Sequence, residues 1–135
     1  KVSKRSGMPI IYPIHPRARK MLKRFRMEVP SGVRAIKPIG YLDFLYLQKN
    51  ARLVFTDSGG VQEESCILGV PCVTLRDNTE RPETLEIGSN ILSGTDPLRI
   101  LKSVGIMLRK SKKWKNPFGR KGVSKKIVRL VAQAY

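Results

Sequence analysis

Acidic side chains, histidine and cysteine are all scarce in this sequence, and each scarcity removes a class of function. A single histidine, His15, among 135 residues leaves no Ser/His/Asp set, and with only two cysteines it cannot complete a zinc cluster. Cys66 and Cys72 fit neither a C-x-x-C redox pair nor a metal half-site, so both are expected as reduced thiols in the core. No apolar run approaches the roughly 20 residues that a membrane-spanning helix needs. The basic start, Lys1 to Gly7, has no apolar segment behind it that ends in a cleavage site, and the expected location is cytoplasmic. Neither G-x-G-x-x-G nor a Walker loop is present.

What the chain has in quantity is positive charge: 27 Lys and Arg against 10 Asp and Glu, a formal net charge of +17. The excess is uneven. Residues 1–37 carry 11 basic side chains and 1 acidic, residues 38–99 carry 5 and 9, and residues 100–135 carry 11 and none. A basic surface raises association with polyanions without specifying which one. Few Asn and Gln beside many charges are compatible with a thermophilic source. The length allows one domain with one hydrophobic core, and the apolar content is ordinary for a globular chain.

Short β-rich runs alternate with helical patterns. Strands are expected over 9–14, 33–38, 52–56, 71–75 and 90–92. Pro16 suits the first position of a helix whose apolar stripe is Ala18, Met21, Leu22 and Phe25. Tyr41, Leu42 and Leu45 begin a second helix that runs to Asn50. Gly59-Gly60 opens a third, which ends near Leu68 at Gly69 with Pro71 behind it. Asp96-Pro97 caps a fourth with Leu101, Val104 and Leu108 on one stripe, and Ser124 is expected to cap a last one. Residues 76–83 read as a polar loop. Strands of about five residues separated by helices indicate βα units, hence an α/β fold with a parallel sheet and helices on both faces.

In such a sheet ligands bind where strands end and helices begin. Asp57-Ser58-Gly59-Gly60 lies at such a point: successive glycines permit close backbone approach, and the new helix offers free N–H groups suited to a phosphate. The alternative is an ordinary glycine turn with a helix-start glutamate pair. Glu64 shares a stripe with Val61 and Leu68, and a carboxylate near a buried stripe requires a partner. From there it can accept ribose hydroxyls. The loop from Arg76 to Glu83 offers an arginine fork for a phosphate or carboxylate, or else is a solvated loop with internal ion pairs. The stretch from Pro38 to Phe44 places an aromatic ring either against a base or in the core.

Together, Asp57-Ser58-Gly59-Gly60-Val61-Gln62-Glu63-Glu64, Gly69-Val70-Pro71 and Leu75-Arg76-Asp77-Asn78-Thr79-Glu80-Arg81-Pro82-Glu83 resemble the non-hydrolysing UDP-N-acetylglucosamine 2-epimerases. The likeness extends back through Pro38–Phe44 to Pro13-Ile14-His15-Pro16, and forward to Asn116-Pro117-Phe118-Gly119 and the closing helix. It implies the C-terminal part of a glycosyltransferase-B type architecture: two Rossmann-like domains with the active site between them. These enzymes interconvert UDP-N-acetylglucosamine and UDP-N-acetylmannosamine. They remove the C2 proton and expel UDP to leave a bound 2-acetamidoglucal, then re-add UDP with the proton returned to the other face. No metal or nicotinamide is implied.

By the same resemblance Ser58, Gly59 and Gly60 hold the diphosphate and Glu64 the ribose hydroxyls. Arg81 reaches the diphosphate side, Phe44 and the backbone at Ile39 border the uracil, and His15 stands near the interdomain cleft. The family's catalytic carboxylates belong to an N-terminal domain that this sequence does not contain. A His-Arg-x-Glu-Asn motif, which follows the first strand of the C-terminal domain, is also missing. Residues 1–135 are thus expected to be a partial UDP-binding domain, a fragment or a truncated product, without its first strand and inactive alone. The partners implied are UDP-N-acetylglucosamine and UDP, with a homodimer for the whole enzyme, and neither nucleic acid nor membrane. Two alternatives stand beside this: the nucleotide-binding half of a glycosyltransferase of the same architecture, or a nucleic-acid module using the basic ends. The second has few aromatics in its cationic segment, Trp114 and Phe118, and no recognition signature.

Overall fold

β-Branched and apolar runs bounded by Pro and Gly do form the strands in the computed structural model, which describes residues 1–119 and 121–134. After a five-residue helix α1 (Val2–Ser6) come β1 (Ile10–Pro13), α2 (Pro16–Arg24) and β2 (Val33–Ile36). Then follow α3 (Tyr41–Lys49), β3 (Val54–Thr56), α4 (Gly59–Ile67), β4 (Cys72–Thr74), α5 (Pro82–Glu86), β5 (Asn90–Leu92), α6 (Pro97–Leu108) and α7 (Val123–Gln133). All the pairings are parallel.

The strands form two separately bonded sheets, β1-β2 and β3-β4-β5, where the sequence pattern reads as one. The doubly wound order 3-2-1-4-5-6 explains the division. Its second and third strands pair with each other, as do its fourth to sixth, and its first strand joins the two groups. With β1 and β2 as strands two and three, and β3 to β5 as four to six, the joining position is filled by no strand among the described residues.

The core sits around β4. Cys72, Val73 and Thr74 are all within 1 % of complete burial; since alternate residues of a strand point to opposite faces, the sheet is covered on both. α4 and α6 both pack against β4, and Val54, Val70 and Cys72 form the apolar centre with Val61 and Leu68 beside it. Both cysteines are buried and unpaired, as expected. Burial pushes the Cys72 thiol up from 9.0 to about 12. The fold therefore binds this proton more tightly than the unfolded chain does. That contribution to stability is intact below pH 9 and is lost as the pH rises towards 12. At pH 8 only about one Cys72 in ten thousand is thiolate. A thiol reagent at that pH should label Cys72 in urea at the normal rate and hardly at all without it; rapid labelling of the folded chain would contradict the packing.

The end of α4 follows its sequence closely. Gly69 adopts a left-handed φ of 72°, the Gly69 N–H donates to the Cys66 carbonyl at 3.2 Å, and the Val70 N–H donates to the Ser65 carbonyl at 2.9 Å. This is a Schellman closure. A Cβ at Gly69 would meet nothing within 4 Å, so Gly69→Ala should cost only the backbone strain, about 1–2 kcal/mol, read as a lower urea midpoint with unchanged slope. The Trp114 indole donates to the same Cys66 carbonyl at 3.0 Å, which ties the Lys-rich segment to the end of α4.

Several local readings are corrected. The loop 76–83 runs into α5 at Pro82, a helix too short to show a period. β2 stops at Ile36 rather than Pro38, and β3 starts at Val54 rather than Arg52. Ser124 does not cap α7: the helix starts one residue earlier, and Gly122, at φ 101°, is its N-cap. Asp96 does cap α6, accepting the Arg99 N–H at 2.8 Å. On α3 the inner face carries Phe44, Leu45 and the buried Gln48, whereas Tyr41 and Leu42 face outward. α2 and α7 have the expected apolar stripes, but Phe25, Ile127, Leu130 and Val131 are each more than half exposed.

Candidate functional site

Val54-Phe55-Thr56 emerges from the core straight into the turn at Asp57-Ser58. The Ser58 N–H donates to the Thr56 hydroxyl at 3.0 Å, which bends the chain into α4. Ser58 stands at the N-cap with an extended backbone, yet its hydroxyl makes no capping bond, and the first turn of α4 holds no acid. The amides of Gly59, Gly60 and Val61 come before the first intrahelical bond, which runs from the Gln62 N–H to the Ser58 carbonyl at 3.2 Å. By contrast α2 is capped by His15 and α6 by Asp96. The start of α4 thus presents unsatisfied donors at the positive end of the helix dipole, with a free hydroxyl beside them.

Neither Gly59 nor Gly60 has a left-handed φ. A Cβ at Gly60 would have as its neighbour only the Ser58 hydroxyl, at 3.9 Å, and one at Gly59 would touch the Glu80 carboxylate at 3.4 Å and the Arg81 side chain at 3.8 Å. The backbone does not demand glycine at position 60, and the bare surface there is available to a ligand.

Glu64 has the partner its position requires. Its Oε2 accepts from Gln48 Nε2 at 2.7 Å, and Gln48 Oε1 in turn accepts from the Ser65 hydroxyl at 3.2 Å. The Glu64 charge, helped by desolvation and hydrogen bonding, raises the Tyr41 phenol above its usual 10.0.

The two arginines of the 76–83 loop behave differently. The Arg76 fork is taken by Glu80, at 2.9 and 3.2 Å, and this hydrogen bonding holds the Glu80 carboxyl below the usual range. Arg81 lies alongside Gly59, its Nε against the Glu63 carboxylate and its Nη1 donating to the Glu80 carbonyl at 2.9 Å. So the loop does carry internal ion pairs, and it also delivers Arg81 to the flank of the α4 turn.

Beneath that loop lies a buried polar network that the sequence reading did not find. Asn90 on β5 accepts from the Thr74 hydroxyl at 2.8 Å and donates to Gln62 Oε1 at 3.2 Å and Thr84 Oγ1 at 3.1 Å. Thr79 also donates to Gln62 Oε1, at 2.5 Å. Gln62 Nε2 is buried with no partner among the described residues. A polar residue amid the apolar ones of β5 was the available signal for Asn90, and a glutamine on the inner stripe of α3 was that for Gln48.

Phe44 is half-buried on α3, and Ile39 is 37 % exposed just ahead of it. His15 is exposed at the carboxyl end of β1, its Nδ1 accepting the Arg17 N–H at 3.2 Å, and no hydrogen bond joins it to the α4 turn among the described residues. Shallow depressions of about 420 Å³ lie along Lys115–Gly119 and between β5 and α6; the turn itself is an open surface outside both.

A family model described as UDP-N-acetylglucosamine 2-epimerase matches residues 1–132. The UDP-N-acetylglucosamine 2-epimerase of Methanocaldococcus jannaschii is 55 % identical over 126 residues, covering 90 % of this chain and 34 % of that protein. The enzyme of the same name from Methanococcus maripaludis is 54 % identical over 134 residues, covering 96 % and 37 %. A crystal structure of the M. jannaschii enzyme, in complex with UDP-GlcNAc and UDP, superimposes with a TM-score of 0.92 at 51 % identity, over 98 % of this chain and 38 % of that one. The chain therefore spans just over a third of the length of these relatives. Its parallel sheets and flanking helices are the corresponding portion of their glycosyltransferase-B type fold, and the family match and the identities favour the epimerase reading over the glycosyltransferase one. With nearly every residue inside the matched region, this chain belongs to the UDP-N-acetylglucosamine 2-epimerase family.

Proposed function

We propose that residues 1–135 form the UDP-binding portion of an enzyme that interconverts UDP-N-acetylglucosamine and UDP-N-acetylmannosamine. The observation that carries this is the uncapped start of α4, with Ser58 exposed, three amides that have no hydrogen-bond partner among the described residues, and Arg81 at its side. On this reading the Ser58 hydroxyl and the Gly59 and Gly60 amides bind the diphosphate, Arg81 offsets its charge, and Glu64 accepts the ribose hydroxyls. Phe44 and the backbone at Ile39 border the uracil, and His15 stands near the interdomain cleft.

The proposed reaction eliminates UDP across C1 and C2: a base takes the C2 proton, the C1–O bond breaks, and the electron pair leaves with UDP. Re-addition places the oxygen back on C1 and a proton on the opposite face of C2. The UDP oxyanion must be held between the two steps, which is the task assigned to the α4 turn. The carboxylates that move the proton lie outside these residues, so the chain alone binds UDP and does not epimerise. Cytoplasmic location and homodimerisation of the whole enzyme belong to the same proposal. Among the described residues no helix is long and apolar enough to cross a membrane.

Titration calorimetry with UDP, uridine and a mixed oligonucleotide tests the reading. Saturable UDP binding, weaker for uridine and absent for the oligonucleotide at physiological salt, is expected. Equal binding of UDP and uridine would remove the diphosphate from the α4 turn. Conversion of UDP-N-acetylglucosamine by the purified chain would overturn the claim that its catalytic groups lie elsewhere.

A further inference from the structure

Gln48 is a long polar side chain on the inner face of α3, only 3 % exposed. Such a group is retained in a core only where its hydrogen bonds are met. Both ends of its amide are satisfied, and by residues of one helix: the Ser65 hydroxyl donates to Oε1 at 3.2 Å and Nε2 donates to Glu64 Oε2 at 2.7 Å. The carboxylate, which only accepts, sets which way the amide faces, and the Ser65 hydroxyl then holds its other end.

We infer that Gln48 is a positioning residue for nucleotide binding: it orients the Glu64 carboxylate towards the ribose hydroxyls, so preference for a ribose over a dideoxyribose depends on Gln48. The inference rests on the reading of Glu64 given above. An ionised carboxylate has about four lone-pair sites on two oxygens. The bond from Gln48 occupies one of them and holds Oε2 in place. What remains accepts the 2′ and 3′ hydroxyls with little rotamer entropy left to lose. Gln48 is the hydrogen-bond donor that α3 gives this carboxylate; Tyr41, on the same helix, is 63 % exposed.

No other common side chain does the same. Leucine removes both bonds and leaves the Ser65 hydroxyl and the Glu64 carboxylate without their buried partner. Glutamate places a second negative charge 2.7 Å from the first. Methionine keeps the length and shape and removes only the polarity, which makes Gln48→Met the variant of choice.

The test compares UDP with 2′,3′-dideoxyuridine diphosphate by titration calorimetry, in the unchanged chain, in Gln48→Met and in Ser65→Ala. The unchanged chain should bind UDP at least tenfold more tightly than the dideoxy ligand. Gln48→Met should bind the dideoxy ligand as before and lose most of the preference for UDP; Ser65→Ala, which removes the anchor at the other end of the amide, should lose part of it. A general loosening of the fold would weaken both ligands alike and leave their ratio unchanged. If Gln48→Met keeps the original ratio, the positioning role is wrong while the ribose reading of Glu64 stands. If the unchanged chain shows no preference, the ribose reading falls and the inference falls with it.

Discussion

Gly60→Ala is expected to reduce UDP affinity at least about 100-fold, close to 3 kcal/mol, while leaving the fold as stable as before or slightly more so. The two halves of this result come from different features of one position. Gly60 is the second residue of α4, has no left-handed φ, and offers a new Cβ no neighbour nearer than the Ser58 hydroxyl at 3.9 Å. Nothing in the free chain resists a methyl group there, and alanine in a helix is favoured over glycine by up to about 1 kcal/mol. A phosphate bonded to the free amides of the first turn, however, must pass within van der Waals distance of this Cα. The methyl group would occupy the path of its oxygens. Calorimetry with UDP and urea unfolding of the same preparation give both numbers. Undiminished affinity would place the phosphates elsewhere, whereas a parallel loss of stability would make the glycine a requirement of the fold.

The largest effect on stability should come from Asn90→Leu, with about 3 kcal/mol lost. Asn90 is 4 % exposed and joins three elements: Thr74 on β4, Gln62 on α4 and Thr84 on α5. Leucine has the same number and branching of side-chain heavy atoms, so most of the cost is polar, with some added from its bulkier methyl groups. The Thr74 hydroxyl loses its acceptor, Gln62 Oε1 and Thr84 Oγ1 each lose a donor, and a buried group left unsatisfied costs about 1–3 kcal/mol. Trp114, the single tryptophan, reports the unfolding transition by its fluorescence. Adding Thr74→Val to Asn90→Leu should recover part of the loss, because removing both partners of a buried bond is far less costly than removing one. If the double variant is less stable than the single one by the full cost of a further buried deletion, the packing of Asn90 matters more than its hydrogen bonds.

Much of this fold can be read in the sequence because Gly and Pro mark its boundaries. Gly69 ends α4 through a left-handed residue, Asp96-Pro97 starts α6 through a cap and a fixed φ, and each of the five strands lies within the apolar run that announces it. α1 and α5, at five residues each, are shorter than two helical turns and carry no period to detect. Periodicity identified α2 and α7 as amphipathic, but it does not say whether another surface covers the stripe, and among the described residues none does. The α4 turn, Glu64 and the loop carrying Arg81 were recognisable from motif and order. The resemblance named Arg81 but not the partners of the two arginines. Arg76 finds Glu80 four residues on and Arg81 is drawn to Glu63, the latter a matter of geometry across two elements. Gln48 and Asn90 were overlooked for a related reason. Apart from Thr84, six residues from Asn90, their partners are 16 to 28 residues distant, and nothing local to either residue names those partners.

The edge of the two-stranded sheet also bears on how this chain behaves in concentrated solution. Among the described residues β1 pairs only with β2, so its other side carries a row of unbonded peptide groups, with Ile11 and Tyr12 each at least 40 % exposed alongside. Such an edge is a template for strands of neighbouring molecules. The main opposing influence is mutual repulsion from a net charge of +17, whose reach shrinks from about 30 Å at 0.01 M salt to about 8 Å at 0.15 M. Colloidal stability should therefore run opposite to ordinary salting-in, with clear solutions in dilute buffer and self-association as ionic strength rises.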